Sequence, residues 1–178
     1  QGGELDLLWQ PLANTTLTLG YAYNDAEYDD FQAGDCWIGT PFHTGQPDPR
    51  ANGDGSCDRS GGLLSGNPEH TMVTSLRQDF ALTGNLTAFL YGEYIWIDER
   101  MTDVNNDPLK LADDYSIINL RAGLIVEDWD LQITAWGRNV GDEDYTNTIA
   151  DAVAQPGSMI AYFNEPATWG INVRKNFR

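Results

Sequence analysis

The chain reads as all-β: an antiparallel meander of about seven membrane-spanning strands with tight turns at one end and long loops at the other. Three observations predict this. Apolar and polar side chains alternate with a period of two through most patterned segments, which places successive side chains on opposite faces of a sheet. No window of useful length shows the 3.6 period of a helix. The links between patterned segments alternate between hairpin-sized and long.

Taken in order, ELDLLWQ (4–10) fits less cleanly, setting Leu5, Leu7 and Trp9 against Glu4, Asp6, Leu8 and Gln10. TTLTLGYAYN, within a strand predicted over 15–28, puts Leu17, Leu19, Tyr21 and Tyr23 on one face and Thr16, Thr18, Gly20 and Ala22 on the other. HTMVTSLRQDF (70–80) is more polar, and a strand over 85–98 contains LTAFLYGEYIWI, apolar on both faces apart from Glu93. Strands over 115–127, 130–139 and 168–177 repeat the alternation: Ile118, Leu120, Ala122 and Leu124; then Leu131, Ile133 and Ala135; then Trp169, Ile171, Val173 and Phe177.

The short links are PLAN (11–14), ALTG (81–84) and a turn near EDWD (127–130); the long ones cover about 29–69, 99–114 and 140–167. In a meander, odd and even links lie at opposite ends, so every tight turn falls at one end and every long loop at the other. That asymmetry is the mark of a transmembrane β-barrel. Charge follows the same division. The 178 residues carry 27 Asp+Glu against 10 Lys+Arg, a net charge of −17. Twenty of the acids and only four of the bases (Arg50, Arg59, Arg100 and Lys110) belong to the long-loop end.

The composition excludes several classes. A strongly acidic chain lacks the basic face that nucleic acid requires. Apolar runs reach about five residues, as in AGLIV, far short of a membrane helix at about 18. QGGELDLLWQ has no basic start or apolar run, so no signal peptide is read there, and its abrupt opening into a patterned segment leads us to expect upstream sequence. An apolar sheet face then needs either lipid or a second sheet. Trp9, Tyr21, Tyr23, Tyr94, Trp96, Trp129 and Trp169 lie at or near strand ends, as membrane-interface girdles require. The opposite face carries Arg77, Asp79, Glu93, Arg121, Arg138 and Arg174 in mid-strand. These are costly inside a small sandwich and tolerable in a wet lumen.

Cys36 and Cys57 share the first long loop and are expected to form a disulfide in an oxidising compartment, stabilising the loop by about 3 kcal/mol. Catalytic constellations, phosphate loops and dinucleotide fingerprints are absent, so no enzyme and no cofactor is predicted. His43 and His70 make no metal-spaced pair, and no metal site is assigned. NGDGSCD (52–58) and DVNNDPLKLADD (103–114) look like calcium loops, but counting twelve positions from Asp48 reaches Arg59, where an EF-hand needs Glu.

Three segments together resemble the C-terminal part of a TonB-dependent outer-membrane receptor. LDLLWQPLANTTLTLGYAYNDAEYDDF (5–31) is similar to a late-barrel hairpin of that family. AWGRNVGDEDYTNT (135–148) resembles its pattern of an aromatic and a small residue followed by Arg138-Asn139-Val140 and Asp144-Tyr145. EPATWGINVRKNF (165–177) resembles its final strand, although Arg178 follows the closing aromatic, where the family usually stops. The resemblance implies that residues 1–178 form the last seven strands of a barrel of about 22 strands without its plug domain or TonB box. It implies an outer-membrane location in a Gram-negative bacterium, periplasmic turns, extracellular loops, and uptake of a scarce ligand such as a ferric siderophore. The implied partners are outer-membrane lipid, the rest of the barrel and its plug, the TonB complex through the missing N-terminal part, and the barrel-assembly machinery, for which Phe177 is the signal. The ligand-binding residues are not legible. Two other readings stay open: a small stand-alone barrel or porin-like protein, with GSMIAYFN (157–164) as an eighth strand, and a secreted β-sandwich binding module.

Overall fold

The fold was obtained as a computed structural model, which describes residues 1–37, 46–155 and 157–177. His43 and Arg178 lie outside the described residues. The strands in chain order are β1 (Gly2–Leu12), β2 (Thr15–Asn24), β3 (His70–Thr83), β4 (Leu86–Ile97), β5 (Arg100–Met101), β6 (Leu111–Ala112), β7 (Tyr115–Val126), β8 (Leu131–Arg138), β9 (Thr146–Asp151), β10 (Met159–Phe163) and β11 (Thr168–Lys175). Seven of them build one antiparallel sheet in the order β1-β2-β3-β4-β7-β8-β11. The other four pair within the long loops as β5–β6 and β9–β10.

Register sorts the side chains by face. Leu7↔Leu19, Leu17↔Leu76, Met72↔Trp96, Tyr94↔Ile118, Leu124↔Ile133 and Ala135↔Ile171 are pairs on one face, which is apolar from β1 to β11. That face has no cover. Leu5, Trp9, Leu90, Leu120 and Ile171 are 55%, 56%, 55%, 44% and 75% exposed. The described hydrophobic residues that are buried lie elsewhere: Phe89 on the opposite face, and Cys57, Met101, Ala112 and Tyr115 at or beyond the loop end. Among the described residues no second sheet packs on this face, and its apolar side chains are left exposed.

Strand ends deviate from expectation where partners run out. β2 stops at Asn24 rather than continuing to residue 28, because its neighbour β3 begins at His70, opposite Tyr23. β1 and β3 continue further into their turns than the alternation indicates, leaving two-residue turns at 13–14 and 84–85 with a register irregularity beside each. The third short link is a 3-10 turn, Glu127–Trp129, closed by Asp130 at φ 45°. The segment proposed as an eighth barrel strand is corrected: its core, β10, pairs with β9 above the sheet rather than within it.

The β8–β11 ribbon continues into β9–β10 across a pinch. Its last pair is Arg138↔Thr168, and pairing resumes at Thr146↔Phe163. The extra residues on the β8 side form a bulge held by amide clips. Asn139, at φ 47°, donates through Nδ2 to the Glu143 carbonyl at 2.9 Å and accepts from the Glu143 N–H at 2.9 Å. Asn164 accepts from the Tyr145 N–H at 2.9 Å and donates to the Glu143 carbonyl at 2.7 Å. Both side chains satisfy backbone groups that would otherwise be orphaned at a ladder break.

Candidate ligand vestibule and polar wall

The polar face of the sheet and the three loops above it form the candidate site. The wall is ordered by register. Arg77 stands opposite Tyr91, Tyr91 opposite Arg121, and Arg121 opposite Trp136, so guanidinium and aromatic groups alternate across four adjacent strands. The guanidinium of Arg121 lies 5.2 Å from the Tyr91 ring centre, Arg138 5.4 Å from Trp136, and Arg77 4.4 Å from Phe89. A guanidinium over a ring face gains cation–π attraction and packing for its stem. Arg77 also donates to Asp79 in a bidentate fork, with Nε–Oδ2 at 3.1 Å and Nη2–Oδ1 at 2.8 Å. Glu93 accepts from the Tyr91 hydroxyl at 2.9 Å and from Asn119 at 2.7 Å. Two glycines make the wall flat enough for its rings. A Cβ on Gly123 would meet the Phe89 ring at 2.4 Å, and one on Gly170 would meet Trp136 at 2.5 Å.

The loops are held by internal charge. Cys36 and Cys57 form a disulfide with a sequence separation of 21. Beside it Arg59, with no exposed surface, pairs with buried Asp48 and donates to the Asp35 carbonyl at 2.8 Å. Burial alone would raise the Asp48 pKa. Hydrogen bonds from the Arg50 N–H, the Arg59 guanidinium and the Trp37 N–H outweigh that and hold its carboxyl below the usual aspartate value. In the second loop, fully buried Lys110 contacts Asp103 and reaches Asp151 of the third loop at 2.6 Å. A lysine ammonium thus sits among the carboxylates that the sequence presents as a calcium loop. Arg100 donates to the Thr146 and Asn147 carbonyls, Thr102 Oγ1 to the Ile149 carbonyl at 3.1 Å, and Tyr115 stacks on Tyr145 at 3.6 Å. These contacts join the second and third loops into one body.

All six mid-strand charged residues expected to share a face do share it: Arg77, Asp79, Glu93, Arg121, Arg138 and Arg174. Six of the expected interface aromatics (Trp9, Tyr21, Tyr23, Tyr94, Trp96 and Trp169) lie on the apolar face, and Trp129 lies in the 3-10 turn at the short-turn end. His70 joins this set, with its ring 5.3 Å from Tyr23 and Tyr21 Oη 2.8 Å from its Nδ1. Among the described residues, the grouping with metal-ligand spacing is Cys36, Asp48 and Cys57, but there both sulfurs are in the disulfide and Asp48 is engaged by Arg59. Sequence reasoning missed Arg59, Lys110 and Asn139 as organising residues. For Arg59 and Lys110 the available signal was that bases are scarce in acidic loops, which makes each one a candidate partner; for Asn139, a neutral amide clip, there was none.

Neither a family model nor a curated protein matches the sequence. Solved structures do match its fold. The ferric yersiniabactin uptake receptor FyuA of Yersinia pestis superposes with a TM-score of 0.68 at 14% identity over 99% of this chain and 23% of its own. The siderophore receptor PiuA of Acinetobacter baumannii superposes with a TM-score of 0.63 at 16% identity over 97% of this chain and 21% of its own. The chain thus has the fold of part of a siderophore-receptor barrel and spans about a fifth of the length of those receptors.

Proposed function

We propose that this chain is the C-terminal portion, residues 1–178, of a 22-stranded outer-membrane barrel in a TonB-dependent receptor that takes up a scarce ligand such as a ferric siderophore. The observation that carries the reading is the inverted sheet: apolar outward, polar inward, with loops at one end only, superposing on two siderophore receptors over nearly its whole length. On this reading lipid covers the apolar face, the aromatics of that face mark the interfaces, and the arginine-bearing face lines the lumen. The short turns are periplasmic and the acidic loops form an extracellular vestibule. Phe177 closes the final strand as the assembly signal. The rest of the barrel, the plug and the TonB-contacting segment come from elsewhere in the full-length protein. No catalytic step is assigned.

Uptake of a radiolabelled ferric siderophore by cells expressing the full-length protein, with and without TonB, tests this. Ferric yersiniabactin is the first ligand to try. Uptake that needs both the protein and TonB is expected. Equal uptake without TonB, or recovery of the protein as a soluble periplasmic monomer, would overturn the reading.

A further inference from the structure

We propose that the apolar face of the sheet holds one phospholipid with a zwitterionic headgroup, its phosphate on Lys175 and an acyl chain in a concavity that runs from β4 to β11. The proposal rests on the reading of that face as the lipid-facing surface. The concavity measures about 790 Å³. Ala122 and Ala135, cross-strand partners on β7 and β8, form its floor. Leu90 and Ile171 flank them in the same row, and Leu120 and Trp169 stand in the next row towards the loops. Glycine shapes that second row. Trp169 lies over Gly137, where a Cβ would meet its ring at 2.3 Å, and a Cβ on Gly92 would touch the Leu120 side chain at 3.5 Å. An unfilled depression forfeits dispersion contacts on its whole lining, and a flexible hydrocarbon chain restores them.

Charge identifies the headgroup. Lys175 follows Trp169, Ile171 and Val173 on the apolar face and stands opposite Leu131. Among the described residues of the main sheet it is the one base on that face, since Arg77, Arg121, Arg138 and Arg174 lie on the other. Its ammonium is 5.6 Å from the Phe177 ring, and no carboxylate among the described residues lies within ion-pair distance of it. Trp129, at the same end of the sheet and exposed, marks the headgroup level. Ile171 lies four residues along β11 from Lys175, about 13 Å at a strand rise of about 3.3 Å per residue. One leaflet of a hydrocarbon core about 30 Å thick is about 15 Å deep, so a chain whose phosphate sits on Lys175 reaches the concavity. The neighbouring turn carries Glu127, Asp128 and Asp130. Three carboxylates repel a headgroup of net negative charge and attract the ammonium that a zwitterion carries beside its phosphate.

The test is native mass spectrometry of the full-length protein in detergent, titrated with phosphatidylethanolamine or phosphatidylglycerol of identical acyl chains. Retention of one phosphatidylethanolamine per protein is expected, at a lower added concentration than phosphatidylglycerol requires. Lys175→Gln should weaken retention about fivefold, as removal of one lysine at a lipid headgroup does. Ala135→Leu, which fills the floor, should weaken it several-fold, whereas Leu5→Ala, on the same face at β1, should leave it unchanged. Heat-modifiable migration on gels verifies folding of each variant; if Lys175→Gln and Ala135→Leu both misfold, the choice of the unaltered protein between the two lipids decides. No retained lipid, equal retention of the two lipids, or indifference of a folded variant to either substitution overturns the proposal. A dimer that Ala135→Leu dissociates means that a second copy covers the concavity, which also overturns it. Failure of the lipid-facing reading looks different: the full-length protein would then be recovered soluble without detergent.

Discussion

At the scale of single residues, the loops depend on buried cations. Removing one partner of a buried pair strands the other without water, at a cost of about 3–5 kcal/mol. Asp48→Asn is therefore expected to speed amide exchange at Gly34 and Cys57, whose N–H groups bond each other's carbonyls, by about two orders of magnitude. Exchange monitored by mass spectrometry checks this. The same pair sets an acid limit. The Asp48 carboxyl is held below its ordinary value in the folded loop, so its contribution is complete above about pH 4 and is lost as pH falls through the lower folded value. Fluorescence of Trp37, whose backbone N–H donates to Asp48 and whose ring lies 5.7 Å from the Arg59 guanidinium, should change below about pH 4 and stay flat from pH 5 to 8. A Trp37→Phe variant supplies the baseline. None of this pairing was legible in the sequence. The number and place of the charges were plain, but Asp48 and Arg59, or Lys110 and Asp151, meet only because the chain between them folds back.

At the scale of elements, alternation revealed every strand of the main sheet, although β3 interrupts its apolar face with His70, Thr74 and Gln78 and β4 is apolar on both faces apart from Glu93. It missed β9 and read the segment containing β10 only as a candidate eighth barrel strand. TNTIAD and MIAYF are short, lack strict alternation and pair only with each other, so no shared apolar surface imposed a period. Register in the last hairpin rests on a reciprocal arrangement. Trp136-Gly137 faces Trp169-Gly170 antiparallel, so each tryptophan lies opposite the other's glycine, on opposite faces. A Cβ on Gly137 would come 2.3 Å from the Trp169 ring, and one on Gly170 2.5 Å from Trp136. A one-residue slip would set ring against ring and turn the apolar face inward. Gly137→Val is expected to cut the yield of folded, heat-modifiable full-length protein several-fold by displacing Trp169, whereas Gly141→Val, which meets nothing within 4 Å, should leave it unchanged. Gel quantification of purified outer membranes distinguishes them. Asn139→Ala should lower the yield less, by loosening the bulge between β8 and β9 without touching the ladder.

At the scale of the whole molecule, β1 and β11 are the outer strands of the sheet and each pairs on one side only. Open, long, apolar edges promote aggregation. The 178-residue chain expressed alone is therefore expected to recover from detergent as oligomers without heat-modifiable migration, and the full-length protein as a discrete folded band. Size-exclusion chromatography in detergent with paired boiled and unboiled gel lanes checks this. A discrete folded monomer from the short chain would favour a stand-alone barrel. Architecture at this scale was the most legible in the sequence, because the parity of link lengths in a meander carries over directly into which end bears the loops. The contents of the vestibule were the least legible, because they depend on contacts between loops.

The burial of the loop cations has a consequence for proteases that cut after basic residues. Of the four bases at the long-loop end, Arg59 and Lys110 have no exposed surface, Arg100 is half-buried and bonded to the third loop, and Arg50 is exposed. Trypsin applied to intact cells should therefore cut this part of the protein first after Arg50. That bond lies between Cys36 and Cys57, so the two pieces stay joined. The nick should be invisible on a non-reducing gel and separate the fragments only after the disulfide is reduced.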